Sequence, residues 1–265
     1  MLGRPVTSKP IQSTKVNAAN YNVSQGLVAF WSMAEGAGLP YDVVTGSQAT
    51  LGAGSIVWAT VPSGLGLKAT QGVGPRIQLN HGLIDFSRNV TVATWMFMNS
   101  YQATSPFISG LYYSPSAGGM ILRFGDVSLA PGQIEFAYSA NNKVNSVGSY
   151  ATGAHVIATR VTSPNPQVNY SVWVDGQNVG NANLGPSAVD TRSQTTLMTD
   201  DTLARQPDGT CTAFAVWNRA LSDQEMQFVG QNYGAIWPIF NPAITYQWKR
   251  SIAPVLDSRN YARIG

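Results

Sequence analysis

Apolar residues in this chain recur every second position in short runs, and Gly, Pro, Ser or Asn clusters separate the runs. Gly26–Trp31, Arg76–Leu79, Met120–Phe124, Gln133–Tyr138, Gln194–Met198 and Cys211–Trp217 each read as a strand, Arg76–Leu79 with the alternation of an edge or outer one. Val90-Thr-Val-Ala-Thr-Trp-Met-Phe-Met98 is apolar on both parities, which predicts a strand covered on both faces. Leu51–Trp58 adds a Gly-rich turn and a short apolar stretch, and Pro106–Ser109 adds another short strand. His155–Val161 and Asn169–Asp175 flank Thr162-Ser-Pro-Asn-Pro166, whose turn chemistry predicts an antiparallel hairpin, with Asp175-Gly176 making the next tight turn. One helix is expected, from about Leu221 to Gln231. Ser222 stands three residues before Glu225, the spacing of a capping box, in which hydroxyl and carboxylate satisfy each other's backbone N–H groups. Eleven or twelve strands and one short helix predict an all-β protein, a two-sheet antiparallel jelly-roll sandwich.

Two segments carry a resemblance. Tyr170-Ser-Val-Trp-Val-Asp-Gly176 is followed by Phe214-Ala-Val-Trp-Asn-Arg-Ala-Leu-Ser-Asp-Gln-Glu225, and Gly26-Leu-Val-Ala-Phe-Trp31 precedes Glu35-Gly36 and Asp42 to Gly46. The chain thereby resembles laminin-G-like, concanavalin A-like sandwich domains over about residues 24–232. The Pro/Lys/Arg-containing start and Trp237-Pro-Ile-Phe-Asn-Pro242 resemble members encoded by tailed bacteriophages. The resemblance implies a non-enzymatic virion protein, a capsid decoration (cement) protein or a tail, neck or fibre component. A lectin-like module that adsorbs to host-surface glycans is the alternative it leaves open.

Composition narrows the picture. The 265 residues suffice for one sandwich with a sizeable core, and only 11% are charged. The first residues lack an apolar segment of the secretory kind, and no apolar run reaches the ~18 residues of a membrane span. A single cysteine, Cys211, excludes an intrachain disulfide and reads as a small buried strand residue. Synthesis in a host cytoplasm and display on a virion surface are the expectation.

Charge is concentrated at the ends. Arg4, Lys9 and Lys15 meet no acid in residues 1–20, and Lys249, Arg250, Arg259 and Arg263 meet only Asp257 in residues 249–265. The formal net charge is +3, and the body between these ends is mildly acidic. The division expected is an N-terminal basic arm (1–23), the sandwich (24–232) and a C-terminal basic and aromatic arm (233–265). Trp237, Phe240 and Trp248 are expected to join those cations in docking on other virion proteins, major capsid or tail subunits, as a multimer. The basic residues are too sparse for a nucleic-acid patch, and no membrane partner is expected.

Candidate chemistry is thin. The three glutamates, Glu35, Glu135 and Glu225, each lack a second carboxylate two to five residues on, so the paired acids of sandwich glycosidases are missing. His81 and His155 sit in unrelated contexts, His81 in a turn and His155 at the opening of a strand, where the resemblance implies a histidine that packs structurally. No cofactor is expected. Calcium is the one ion to consider, through Asp42, Asp200 and Asp201, but no D-x-D-x-D-G loop is present and turn-capping is the preferred reading of these acids. A carbohydrate platform would draw on Tyr101, Tyr112 and Tyr113, since Trp31, Trp95, Trp173 and Trp217 fall in strand patterns and read as core.

Overall fold

The computed structural model describes residues 23–33, 35–69, 76–80, 88–100, 121–124, 132–139, 142–150, 152–162, 168–184, 194–197 and 207–231. Fourteen strands run through them: β1 (Leu27–Trp31), β2 (Thr50–Ala53), β3 (Trp58–Val61), β4 (Gly64–Ala69), β5 (Arg76–Asn80), β6 (Val90–Ser100), β7 (Ile121–Phe124), β8 (Ile134–Ser139), β9 (Asn142–Asn145), β10 (Gly153–Thr162), β11 (Val168–Val174), β12 (Gln177–Leu184), β13 (Gln194–Leu197) and β14 (Asp208–Trp217). One helix, α1 (Asp223–Gln231), follows.

All pairings are antiparallel. The large sheet has the order β12-β11-β10-β6-β14-β4-β3. β14 is long enough to take two partners on one edge, β4 along Gly209–Cys211 and β1 along Phe214–Trp217. Two three-stranded sheets, β13-β5-β2 and β7-β8-β9, form the facing layer. The layers meet where Val147 N–H donates to Val179 C=O at 2.9 Å, beside a Gly180 whose missing Cβ leaves room for the Asn145 carbonyl.

Strand alternation sorts the large sheet's side chains into two cores. Val90, Val92, Met96 and Met98 of β6, Phe214 and Val216 of β14, and Tyr170 and Val172 of β11 face the sandwich interior. Ala93, Trp95, Ala158, Trp173, Ala215 and Trp217 face the opposite side with Phe30, where α1 covers them. In register, Trp173, Ala158, Ala93, Ala215 and Phe30 form one row across five strands. Three alanines between two aromatics make a trough on that side. A nine-residue helix is too short to persist alone, so burial of Met226, Phe228 and Val229, at roughly 1.5–3 kcal/mol per side chain, holds α1 there.

The jelly-roll architecture, the β10–β11 hairpin, the doubly covered β6 and buried Trp31, Trp95, Trp173, Trp217 and Cys211 all stand in the structure as expected. Other expectations need revision. There are more strands than the eleven or twelve counted, because Leu51–Trp58 divides into β2 and β3, and Gly-rich β4 and Asn-rich β9 and β12 give no apolar alternation to read. Arg76–Leu79, expected at an edge or outside, lies between β13 and β2. The helix begins at Asp223, with Leu221 buried ahead of it and Ser222 as its cap. The predicted Pro106–Ser109 strand lies outside the described residues.

Candidate functional site

Both ends of the described sandwich converge on the helix-bearing face. At the start, Trp217 Nε1 donates to the Val23 carbonyl at 2.7 Å, Arg219 Nε to the Gln25 carbonyl at 2.7 Å, and Asn218 N–H to the Gly26 carbonyl at 2.8 Å. Gly26 has φ +73°, and a Cβ there would lie 2.9 Å from Asn218 Oδ1, so the turn into β1 requires glycine.

The connector from β14 to α1 is fixed from three directions. Thr91 Oγ1 donates to the Arg219 carbonyl at 2.9 Å and accepts from Leu221 N–H at 3.0 Å. Arg160 reaches from β10 to the Leu221 carbonyl at 2.9 Å and to Asp223 Oδ1 at 2.6 Å, with its guanidinium over the Trp173 ring. Arg219 grips Glu225 through both terminal nitrogens, at 2.6 and 2.8 Å. Glu225 completes the capping box: it accepts from Ser222 N–H at 2.8 Å, and its own N–H donates to Ser222 Oγ at 3.3 Å. The Arg219 bond above all, with Ser222, holds the Glu225 carboxyl below its ordinary range against the opposing effect of burial.

At the other end of α1, Gly230 packs against the Asp175-Gly176 turn so closely that a Cβ would lie 1.9 Å from Gly176 N. Asp175 is a non-glycine residue at φ +51°. Its N–H donates to the Val156 carbonyl at 2.9 Å, and its Oδ1 accepts from Val156 N–H at 2.9 Å. Its Oδ2 lies 2.8 Å from His155 Nδ1, while His155 Nε2 lies 3.0 Å from the Thr152 carbonyl. The Tyr150 ring stands edge-on to the imidazole, centroids 5.6 Å apart. The Asp175 hydrogen bond raises the His155 pKa above its ordinary value, against partial burial.

Asp42, Glu35 and Asp208 are also tied into the fold by hydrogen bonds. Asp42 is fully buried: Oδ1 accepts from Phe30 N–H at 2.8 Å and Val44 N–H at 3.0 Å, and Oδ2 accepts from Thr45 Oγ1. This is the turn-capping role, and calcium at Asp42 would have to displace those donors. Glu35 accepts from Tyr41 N–H at 3.1 Å, and Asp208 accepts from Asn99 and Ser100. Glu135 is buried on β8, between Arg123 and Asn145 in register. Among the described residues no three His, Cys, Asp or Glu side chains gather to hold a metal ion, and no helix is long and apolar enough to cross a membrane.

The family model for Laminin_G_3, of the concanavalin A-like lectin/glucanases superfamily, matches residues 71–227, more than half of the chain. The chain belongs to that family. Solved structures similar to this laminin-G-like chain include a Trypanosoma rangeli sialidase complex at 19% identity and TM-score 0.59, matched over 80% of this chain and 33% of that one. Domain 4 of AbnA, a GH43 extracellular arabinanase from Geobacillus stearothermophilus in complex with arabinotriose, matches at 14% identity and TM-score 0.59, over 77% of this chain and 98% of that one. The binding domain of Botulinum neurotoxin DC, in complex with rat synaptotagmin II, matches at 10% identity and TM-score 0.57, over 79% and 52%. At these identities the likeness is one of fold, and the laminin-G-like chain spans about a third of the sialidase chains. No curated protein matches it.

Of the site residues expected from sequence, Asp42 alone falls among those described. Asp200, Asp201, Tyr101, Tyr112 and Tyr113 lie outside them, as do Arg4, Lys9, Lys15, Trp237, Phe240, Trp248, Lys249, Arg250, Arg259 and Arg263. The His155–Asp175 pair was not expected. Its one trace in the sequence is a strand-opening His and a turn Asp at opposite ends of a predicted hairpin.

Proposed function

We propose that this chain is a non-enzymatic structural protein of a phage-like particle, a decoration (cement) protein whose sandwich faces outward and whose residues 1–23 and 233–265 anchor it. The observation that carries this reading is the shared origin of both extensions on the helix-bearing face. Val23 is bound to Trp217, and Gln231 ends α1 beside Gly176. Anchors leaving from one side can grip one neighbour and leave the facing layer free. Their cations suit an acidic surface on a capsid or tail subunit, and many copies on a lattice add avidity to modest single contacts. The absence of catalysis is supported by how six of the seven described carboxylates are used. Glu35, Asp42, Asp175, Asp208, Asp223 and Glu225 each accept structural hydrogen bonds, and paired acids about 5–9 Å apart are what glycoside hydrolysis needs.

A map of particles carrying the chain tests this orientation. The helix-bearing face should lie against the shell, and density for the facing layer against the shell would refute the proposal.

A second reading is favoured by the likeness to AbnA domain 4, almost all of which this chain covers. The sandwich would then bind a glycan, with Tyr101, Tyr112 or Tyr113 as a platform. Titration with arabinotriose and a glycan array separates the two readings: saturable binding lost on tyrosine substitution supports adhesion, and flat titrations leave the structural role alone.

A further inference from the structure

Each ring nitrogen of His155 faces an oxygen that can only accept. Nδ1 is 2.8 Å from the Asp175 carboxylate and Nε2 is 3.0 Å from the Thr152 carbonyl. A neutral imidazole has one N–H and can satisfy one of them. The other contact then becomes lone pair against lone pair. Only the doubly protonated ring makes both bonds.

What these bonds hold is the seat of α1. Asp175 keeps its positive φ while both carboxylate oxygens and its N–H are engaged by β10. Gly176, the next residue, carries the last turn of the helix: it would clash with a Cβ on Gly230, and its own Cβ position lies 2.8 Å from the Gln227 carbonyl and 3.1 Å from Gln231 Cγ. With so little clearance, a displaced Asp175-Gly176 turn has to displace the end of α1.

We propose that His155 and Asp175 form a proton-operated clasp on the C-terminal end of α1, closed when the imidazole carries both protons and loosened when it is neutral. This clasp does not depend on the particle reading above. Because α1 leads directly into the extension that follows Gln231, the protonation state of one ring sets how firmly that extension is rooted. Among the described residues, the titratable groups facing His155 are Asp175 from the β11–β12 turn and the Tyr150 phenol from the segment after β9. α1 presents uncharged Gln227 and Gln231 to the turn, β6 presents Met96 opposite His155, and β11 ends in uncharged Trp173 and Val174. The acids of α1, Asp223 and Glu225, are at its far end and are engaged by Arg160 and Arg219.

The imidazolium is the stabilising form. The clasp is fully closed below the ordinary histidine pKa and opens as pH rises through the higher pKa of the folded chain.

The test uses the full chain with His81→Gln, which leaves His155 as its one imidazole, since the sequence has two histidines. Ring nitrogen chemical shifts follow its protonation, and hydrogen exchange, corrected for the intrinsic pH dependence, follows Gly176 and Gln227–Gln231. Protection there should fall as the ring deprotonates, by up to about tenfold for each unit of elevated pKa. Asp175→Asn, which tolerates the positive φ and can still accept from Val156, should abolish the step, and so should His155→Gln. A flat protection profile across the titration of the His81→Gln chain overturns the clasp however either variant folds. An unchanged step in Asp175→Asn also overturns it.

Discussion

The indole Nε1 of Trp217 donates to the carbonyl of Val23 at 2.7 Å across 194 residues of chain. Both residues are fully buried, so this bond closes the sandwich at the point where its first residues meet its last strand. Trp217→Phe keeps most of the apolar surface and leaves the Val23 carbonyl buried without its donor. The expected cost is about 1–3 kcal/mol, read as a lower urea midpoint at unchanged m-value. A midpoint within error of the parent chain would show that the bond does not close the fold.

Gly230→Ala should also destabilise, against helix propensity. In an open helix the change gains up to about 1 kcal/mol. Here the new methyl would meet the backbone of Gly176 and Asp175, which has no flexible end to swing away. A net loss on the order of 1–3 kcal/mol is expected by thermal or chemical denaturation. A neutral or stabilised variant would mean that the turn and the helix are not in tight contact.

The capping box gives a prediction with a pH signature. Ser222→Ala should cost about 1 kcal/mol. Glu225→Gln removes the Arg219 pairing as well and should cost at least as much at neutral pH. The folded-state pKa of Glu225 is depressed, so its contribution is complete above the ordinary glutamate value and is lost as pH falls through the lowered one. The stability gap between parent and Glu225→Gln should therefore narrow in acid. A gap that stays constant from neutral pH to pH 3 would contradict this assignment.

How much of this was legible in the sequence follows the range of each interaction. The capping box spans three residues and could be read to the atom, because both partners and their spacing are local. The β10–β11 hairpin and the doubly covered β6 were equally plain from turn chemistry and apolar parity. β12 could not be read, because Gln177-Asn-Val-Gly-Asn-Ala-Asn-Leu184 has neither β-branched density nor alternation, and pairing with β11 makes it a strand. The His155–Asp175 pair eluded the sequence reading for a related reason. The two residues are 20 apart and meet only because the hairpin register returns one beside the other. Asp42 was visible as a turn acid, but only the fold shows that both its oxygens accept hydrogen bonds from within the chain.

Asp42 yields a test for calcium. Asp42→Asn replaces a charged acceptor of two backbone N–H groups and one hydroxyl, and should cost roughly 1.5–3 kcal/mol. Added calcium should not raise the melting temperature through this residue. A calcium-induced rise in the parent chain that disappears in Asp42→Asn would make Asp42 a ligand after all.

Anchoring by the extensions is tested most directly through their charge. Arg4, Lys9, Lys15, Lys249, Arg250, Arg259 and Arg263, all outside the described residues, can be changed to Glu together in the 265-residue chain. Copies per purified particle, counted by quantitative mass spectrometry, should drop by more than about tenfold while the variant keeps the parent's melting temperature, as expected when several cation contacts with an acidic surface turn repulsive. Normal copy number with all seven charges reversed would contradict the anchoring role.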